Sequence, residues 1–479
     1  MPAPTGQPAV TEPLDLPSSV EVVVIGAGLA GLACARRLHR GDADGTRPSV
    51  VVLEAAPRVG GRIGTELVDG YRCDRGFQVL NPAYPEARRV LDLQALALQP
   101  LPGAVVVATE SGPRVLGDPR RTPPALLPRV LRDAARSLGG PAEKLAFARW
   151  ALGCARRRPA ELLSPADQPW SQTLTEAGVD GELRRAVLEP FLSGTLAEMD
   201  GSTSRRFVEL LIRSFVRGRP SVPWSGMQAI GDQLAAQIPA IRLGVEVQRL
   251  EAGSGAHRVA TAAGTITARA VVVATDPATA ARFTGQDEVP TRPLTTFWHT
   301  TDVPDGPDGK DGADGTGGAG STEGAGSGLG RFGATGAIHL DGERRTPLAN
   351  SVVLSASARA YAPYGKALIA TTIRGLASAD PTEATSEPGV RRELARIYGA
   401  DTTAWELVRL HEIPRALTVM APPLDVRRPV DLGGGLFVAG DHRDTASIQG
   451  ALVSGRRAAD AVFAHLGMTA PRRERIGEG

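Results

Sequence analysis

The residues best suited to chemistry lie near the start of the chain, in the run Gly26-Ala27-Gly28-Leu29-Ala30-Gly31. Glycine at these three positions suits a main chain that must turn tightly against a large anionic group. Gly26 permits the turn, Gly28 lets the backbone approach a pyrophosphate, and Gly31 lets a helix pack close to a strand. Three spaced glycines alone are a weak signal. Here a β-branched run, 20–25, precedes them, and an Ala/Leu/Arg helical stretch, 29–39, follows. Glu54 ends the next apolar run, 23 residues after Gly31, where a carboxylate can accept hydrogen bonds from a ribose diol. The spacing predicts a βαβ unit that holds a dinucleotide, its phosphates at the positive end of the helix. The alternative is a chance glycine turn in an α/β protein.

A second diglycine follows at once, in Arg58-Val59-Gly60-Gly61-Arg62. A nicotinamide cofactor has no need of it. A flavin dinucleotide, extended along the domain, can use one. A second strand–GxGxxG–helix unit is missing, because the glycines of 317–330 lack both strand and helix. A built-in nicotinamide domain and a CxxxxC redox disulfide are therefore not expected.

The elements that must position these residues are legible in outline. Apolar strands are predicted at 20–25 and 49–53, and helices at 127–138 and through 182–216. A strand-rich block covers 241–275, and further strands are expected at 294–300, 351–355, 367–373 and 436–439. A final helix is predicted from Gln449 to about His465. The 479 residues suggest two large units or three smaller ones. With 42% hydrophobic and 22% charged residues the chain is globular. A net charge of +2 gives no general pull toward nucleic acid. The three cysteines, Cys34, Cys73 and Cys154, form no CxxC pair, so neither a disulfide framework nor a zinc ribbon is expected, and no metal. Five prolines and no apolar block in the first 19 residues predict a loose cytoplasmic tail over 1–17 rather than a signal peptide. The Gly/Asp/Ala/Ser-rich stretch 302–330 reads as a flexible insertion between two strands.

The chain resembles the large flavoprotein group of amine oxidases, protoporphyrinogen oxidases and phytoene-type desaturases. The residues that carry the resemblance are VVVIGAGLAGLACARRL, VVVLEAAPRVGGRIGT and GYRCDRGFQVL near the start, and LFVAGDHRDTASIQGALVSGRRAADAV near the end. The segments around Val247 and around AVVVATDP, which includes Ala274, are similar to the strands that enclose an adenine. The resemblance implies a glutathione-reductase-like Rossmann domain that binds FAD, with a parallel sheet and helices on both faces. A mixed α+β substrate domain would cover it. The FAD domain is expected over 18–110, 221–290 and 425–470, and the substrate domain over 111–220 and 291–424.

The resemblance also implies roles. Gly26, Ala27, Gly28, Ala30, Gly31, Glu54 and Ala55 would hold the pyrophosphate and ribose. Gly60, Gly61 and Arg62 would lie beside the pyrophosphate and flavin. Gly440 and Asp441 would meet the ribityl or phosphate region. Gln449, Gly450 and Ala451 would turn helix N–H groups toward the flavin, where a helix N-terminus favours the negative charge of reduction. No cysteine follows Cys154, so the FAD should be non-covalent, with His442 a remote exception.

The implied activity is FAD-dependent oxidoreduction. Hydride would pass from a C–H bond to flavin N5, and electrons then to oxygen, a quinone or another acceptor. Two departures weigh against an amine. Only Lys366 sits in the right half of the chain for a flavin-side lysine, and no aromatic residue lies between Trp405 and Phe437. The ending AGDHRDTASIQGALVSGR resembles isoprenoid desaturases, and Pro223-Trp-Ser-Gly226-Met227 resembles a turn found beside the flavin in them. The expected reaction is thus dehydrogenation of a hydrophobic small molecule, with Arg62, Gln78 and Arg374 as the candidate catalytic residues. The alternatives are an amine oxidase, a non-catalytic FAD-binding protein and a flavin-dependent isomerase. Eleven basic residues against three acids in 114–158 would suit peripheral contact with an anionic membrane, although solvated arginines on ordinary helices explain them as well.

One outcome follows from composition alone. Deleting 303–329 should leave soluble yield and flavin content unchanged, as gel filtration and the visible spectrum would report. Loss of soluble protein would show that the insertion is structural.

Overall fold

The computed structural model describes residues 16–136, 138–253, 255–303, 328–379 and 381–473. The expected loose tail lies almost wholly, and the expected insertion mostly, outside the described residues. Two seven-stranded sheets organise the rest.

The first sheet grows from strand Ser19–Ile25, which pairs in parallel with Val50–Glu54 on one side and with Gly264–Val273 on the other. Ile241–Leu243 extends it in parallel beyond Val50–Glu54, and Leu436–Val438 pairs in parallel with the end of Gly264–Val273. The antiparallel strands Val247–Glu251 and His257–Thr261 complete it. Val22, Val23 and Val24 are fully buried, which is why this strand is apolar without alternation: helices and meander cover both faces. Helices Leu29–Arg40 and Ile448–His465 lie against each other on one face. They approach so closely that a Cβ on Gly455 would fall 2.1 Å from the Ala30 carbonyl oxygen.

The second sheet has the order Glu406–Thr418, Thr291–Asp302, Lys366–Arg374, Leu348–Val353, Ile338–Asp341, Ala104–Ala108, Arg114–Gly117. Its pairs are antiparallel except Ile338–Asp341 with Ala104–Ala108. This corrects two expectations. Residues 104–108 belong to the second sheet, so the first unit's opening segment ends before Ala104 rather than at 110. Residues 354–357 form a helical turn, so the strand expected over 351–355 stops at Val353. The reason is the same in both cases: strand-forming residues cannot reveal which sheet they join, or where a ladder ends.

The basic window opens as a strand, Arg114–Gly117, and continues as helices Leu127–Arg136 and Pro141–Arg156. Leu131, Leu145 and Leu152 are exposed on those helices, the surface on which the expected lipid contact would rest. Among the described residues, no helix is long and apolar enough to cross a membrane.

A buried carboxylate joins the units. Asp74 is 1% exposed. It accepts from Thr65 Oγ1 at 2.5 Å, from the Met227 amide at 3.0 Å and from the Tyr361 hydroxyl at 2.9 Å. Burial pushes its carboxyl up to about 6, and the three donors pull only partly the other way. A carboxyl raised in the folded state adds stability at low pH, which is lost as pH climbs from about 4 through about 6. That loss is worth about 3 kcal/mol at its largest. Asp74→Asn, which keeps the shape and removes the charge, should therefore gain on the parent by up to that amount between pH 4 and 7. Urea unfolding across that range would measure it; parallel curves for the two proteins would show that Asp74 is not the buried titrating group.

Candidate active site

Two glycine turns lie side by side at the C-terminal ends of the parallel strands, where ligands of open α/β sheets bind. Strand Ser19–Ile25 ends in Gly26, whose φ of +103° is open to glycine, and whose amide donates to the Leu53 carbonyl at 2.8 Å. A Cβ on Gly31 would sit 2.0 Å from the Gly26 oxygen, so the helix can start this close to the turn only without a side chain there. The Gly60 amide donates to Ala27 O at 2.8 Å, and Gly28 bridges Gly60 in parallel. A Cβ on Gly61 would lie 3.0 Å from Gly28 Cα, so the two turns touch backbone to backbone.

The helix that starts here, Leu29–Arg40, has Gly28 at its N-cap. It has no side-chain cap and no acidic residue in its first turn. Its positive end is therefore not neutralised by the chain itself, and it borders Gly61, which is exposed. These features fit the phosphates of a dinucleotide. The neighbouring carboxylate fits its ribose. Glu54 Oε2 accepts from the Ala27 amide at 2.6 Å and Oε1 from the Ala56 amide at 2.9 Å, which fixes the acid beside the first turn. Ala55 is exposed next to it. The Glu54 carbonyl receives the Val245 amide at 2.8 Å and leads the chain to buried Val247, where the ladder is irregular. Ala274 walls the turn from the other side, its carbonyl 2.7 Å from where a Gly26 Cβ would sit.

The far end of the chain closes the site. The Gly440 amide donates to Ser454 Oγ at 2.7 Å, and Asp441 follows it, 5% exposed. Arg62 Nη2 meets Asp441 Oδ1 at 2.5 Å, and its Nη1 donates to the Ala416 carbonyl at 3.2 Å. Thr418 Oγ1 donates to Asp441 Oδ2 at 3.1 Å. Burial alone would push the Asp441 carboxyl up; the Arg62 guanidinium, aided by His442 and the Thr418 hydroxyl, outweighs it and holds the group below the usual carboxylate range. Gln78 steadies this arrangement, with Nε2 3.1 Å from both the Arg62 and Arg75 carbonyls.

Gly450, Ala451 and Arg374 are engaged differently from expectation, and so is the Gln449 side chain. Ser447 caps helix Ile448–His465, its Oγ accepting from the Gly450 amide at 3.0 Å, while the Ala451 amide donates to the Ser447 carbonyl at 3.0 Å. Those two amides are thus engaged within the helix. The Gln449 side chain turns to the Glu86 amide, at 2.9 Å. Arg374 bonds Ser193 Oγ, Leu348 O and Thr346 O within the second unit, and none of these bonds reaches the Arg62–Asp441 pair. Lys366 is exposed and paired to Asp302 at 2.6 Å. His442 is buried, and burial lowers its imidazole to about 4.

Sequence reasoning missed the face of the second sheet turned toward this site. His411, Thr296, Thr372 and Asn350 occupy one row across four strands, and Trp298, Ala370 and Val352 the next. Period-two alternation marks such strands, but it cannot tell which face meets the other unit.

A family model described as flavin containing amine oxidoreductase matches residues 29–463. Polyamine oxidase 1 of Oryza sativa subsp. japonica is 31% identical over 252 residues, 48% of this chain and 47% of that protein. The chain thus spans less than half the length of the curated relatives it matches. The fold is similar to that of an oxidoreductase from Methanosarcina mazei, at 17% identity and a TM-score of 0.65, covering 92% of this chain and 100% of that one. It is also similar to that of a putrescine oxidase bound to putrescine, at 17% identity and a TM-score of 0.62, covering 93% and 99%.

The ribose assignment has a direct consequence. Glu54→Ala should retain flavin about tenfold less tightly, the effect of losing hydrogen bonds to a charged acceptor. The ratio of visible to 280 nm absorbance after purification and dialysis would show it. An undiminished flavin complement would place the ribose elsewhere.

Proposed function

The chain belongs to the flavin-containing amine oxidoreductases, and on that premise we propose that it is an FAD-dependent dehydrogenase that removes hydride from a C–H bond of an uncharged, hydrophobic small molecule. The observation that carries this reading is the neutrality of two adjacent rows on the sheet face turned to the first unit, the flanking Arg409 and Arg374 being engaged with Glu66 and with Ser193, Leu348 and Thr346. In the rows Trp298–Ala370–Val352 and Thr296–Thr372–Asn350 no side chain is charged. His411, which extends the second row, has its imidazole lowered by burial first, then by Arg75 and Arg409, against the pull of Glu66. It is neutral at pH 7. An ammonium buried there would have to compete for Glu66, already paired with Arg409, and an unpaired buried charge costs several kcal/mol.

The proposed binding residues are Gly26 to Gly31 with Glu54 and Ala55 for the phosphates and ribose, Val247 and Ala274 beside the adenine, and Gly60 to Arg62 with Gly440 and Asp441 further along. Bound FAD supplies the two-electron acceptor, which this protein chain cannot supply itself. The chain's own contribution is to position and to exclude water. Asp441 and the Ala416 carbonyl hold the Arg62 guanidinium still, and Gln78 holds the main chain beneath it. Trp298 and Tyr361, fully buried, help to seal the interface between the two units. Arg62 and Gln78 remain the polar candidates; Arg374, committed to the second unit, is a structural residue in this reading. Non-covalent attachment is supported by the cysteines. Cys34, Cys73 and Cys154 are all buried, and burial raises each thiol, least favourable for thiolate chemistry. The final acceptor in this reading is oxygen, a quinone or another oxidant.

Amine oxidation is the second reading, favoured by the family's description and the polyamine oxidase match. Anaerobic titration of the purified yellow protein separates the two. Isoprenoid hydrocarbons and alcohols, porphyrinogens and primary to tertiary amines would be added in turn while the band near 450 nm is followed. Bleaching by an uncharged hydrophobic compound is expected. Bleaching by amines alone would establish the second reading, and a protein that cannot be loaded with FAD would remove both. Turnover without a consumed acceptor would reveal an isomerase.

A further inference from the structure

The inner face of the second sheet contains three buried polar side chains with unused hydrogen-bonding atoms. Thr296, Thr372 and Asn350 are 0%, 3% and 9% exposed. Thr296 stands directly opposite Thr372, and Thr372 opposite Asn350, so all three share one face and one row. Thr296 Oγ1, Thr372 Oγ1 and Asn350 Oδ1 have no partner within the protein. Buried polar atoms are almost always paired, and each one left alone is costly, so three in a row on one face point to a ligand. Asn350 meets helix Glu189–Leu196 on that face: a Cβ on Gly194 would fall 2.3 Å from its Nδ2.

At its Thr296 end the row faces the first unit, not solvent. Thr296 Oγ1 lies 3.9 Å from where a Cβ on Gly76 would sit, and Gly76 belongs to the loop whose Gln78 holds the Arg62 main chain. One row along, Trp298, Ala370 and Val352 are fully buried and apolar. On the other side, Arg374 spends its guanidinium on Ser193, Leu348 and Thr346. The face is thus apolar next to a neutral polar row.

We propose that Thr296, Thr372 and Asn350 form a specificity subsite that receives a hydroxyl group of the substrate, whose hydrocarbon part lies over Trp298, Ala370 and Val352. This rests on the dehydrogenase reading and narrows its substrate to a hydrophobic alcohol. A hydroxyl matches the row better than other neutral groups. It can donate to Asn350 Oδ1 and accept from either threonine hydroxyl, whereas a carbonyl can only accept. A site built to hydrogen-bond a hydroxyl discriminates strongly against the analogue without one, because its own polar atoms are then left unpaired.

Four probes of one carbon skeleton test this: farnesol, farnesal, farnesene and farnesylamine. Each is titrated into the flavin-loaded protein, and the perturbation of the flavin bands gives a Kd. Farnesol should bind at least about tenfold more tightly than farnesene, with farnesal between them. In the Thr296→Val/Thr372→Val protein the farnesol Kd should rise to that of farnesene, while farnesene is unchanged or tighter. Equal affinities in the parent, binding of none of the four, or an alcohol preference that survives in the variant would overturn the subsite. A second measurement does not depend on the flavin. Because the two hydroxyls have no protein partner, the same variant should melt at the parent's Tm or above it. A fall of several degrees would show that they bond within the protein, and would also overturn the subsite. A protein that will not load FAD fails the dehydrogenase reading instead, and the melting test still reports on the row.

Discussion

Arg62 and Asp441 are 379 residues apart in the chain, and their ion pair draws both ends of the molecule onto one point. The arginine comes from the turn after the second parallel strand; the aspartate comes from the helical turn after the last one. The carbonyl of Ala416 and the hydroxyl of Thr418, both on the outermost strand of the second sheet, complete the set. Two sheets and two distant stretches of chain therefore share one charge pair. Asp441 would not tolerate its burial alone, because a desolvated charge without its counter-ion is among the costliest defects a fold can carry. The glycine turns, the capped final helix and the long outer strand are all held to a common geometry by it.

Charge is concentrated there and withheld from the facing surface. The three donors around Asp74 make its buried carboxylate tolerable while leaving it the least comfortable acid at the interface. Facing the first unit, the two central rows of the second sheet present aromatic, aliphatic, hydroxyl and amide groups, while Arg409 and Arg374 at their margins are engaged with Glu66 and with Ser193, Leu348 and Thr346. On the proposed reading, a hydride donor without charge enters such a space without losing more hydration than it regains. In the proposed reading the division of labour is physical: the first unit supplies fixed charge and open main chain for the cofactor, and the second supplies shape and neutral polarity for the substrate.

The final helix shows how local chemistry can displace a role that position suggests. A serine at an N-cap competes with any ligand for the first-turn amides, and Ser447 has taken that of Gly450. Gln449 meanwhile secures the Glu86 segment. The positive end of the helix is still at hand, but the Gly450 and Ala451 amides are engaged within it.

Local sequence was enough to place the first unit's glycine turns and Glu54, because their geometry is local. A tight turn, a close helix and a carboxylate at a strand end are set by residues within about thirty positions of one another, and glycine is almost the only residue that serves. The βαβ unit, its Glu54 and the second diglycine could be read for this reason, and so could the unsuitability of Lys366. The second sheet was another matter. Its strands come from five separate stretches of chain, and one of them, 104–108, sits within the region expected for the first unit. Alternation shows that Thr296, Thr372 and Asn350 are in strands, but only pairing across three strands makes them a row, and only packing against Gly76 turns that row inward. Long-range register has no signature in any short window, so the cofactor's side of the site belongs to the sequence and the substrate's side to the tertiary structure.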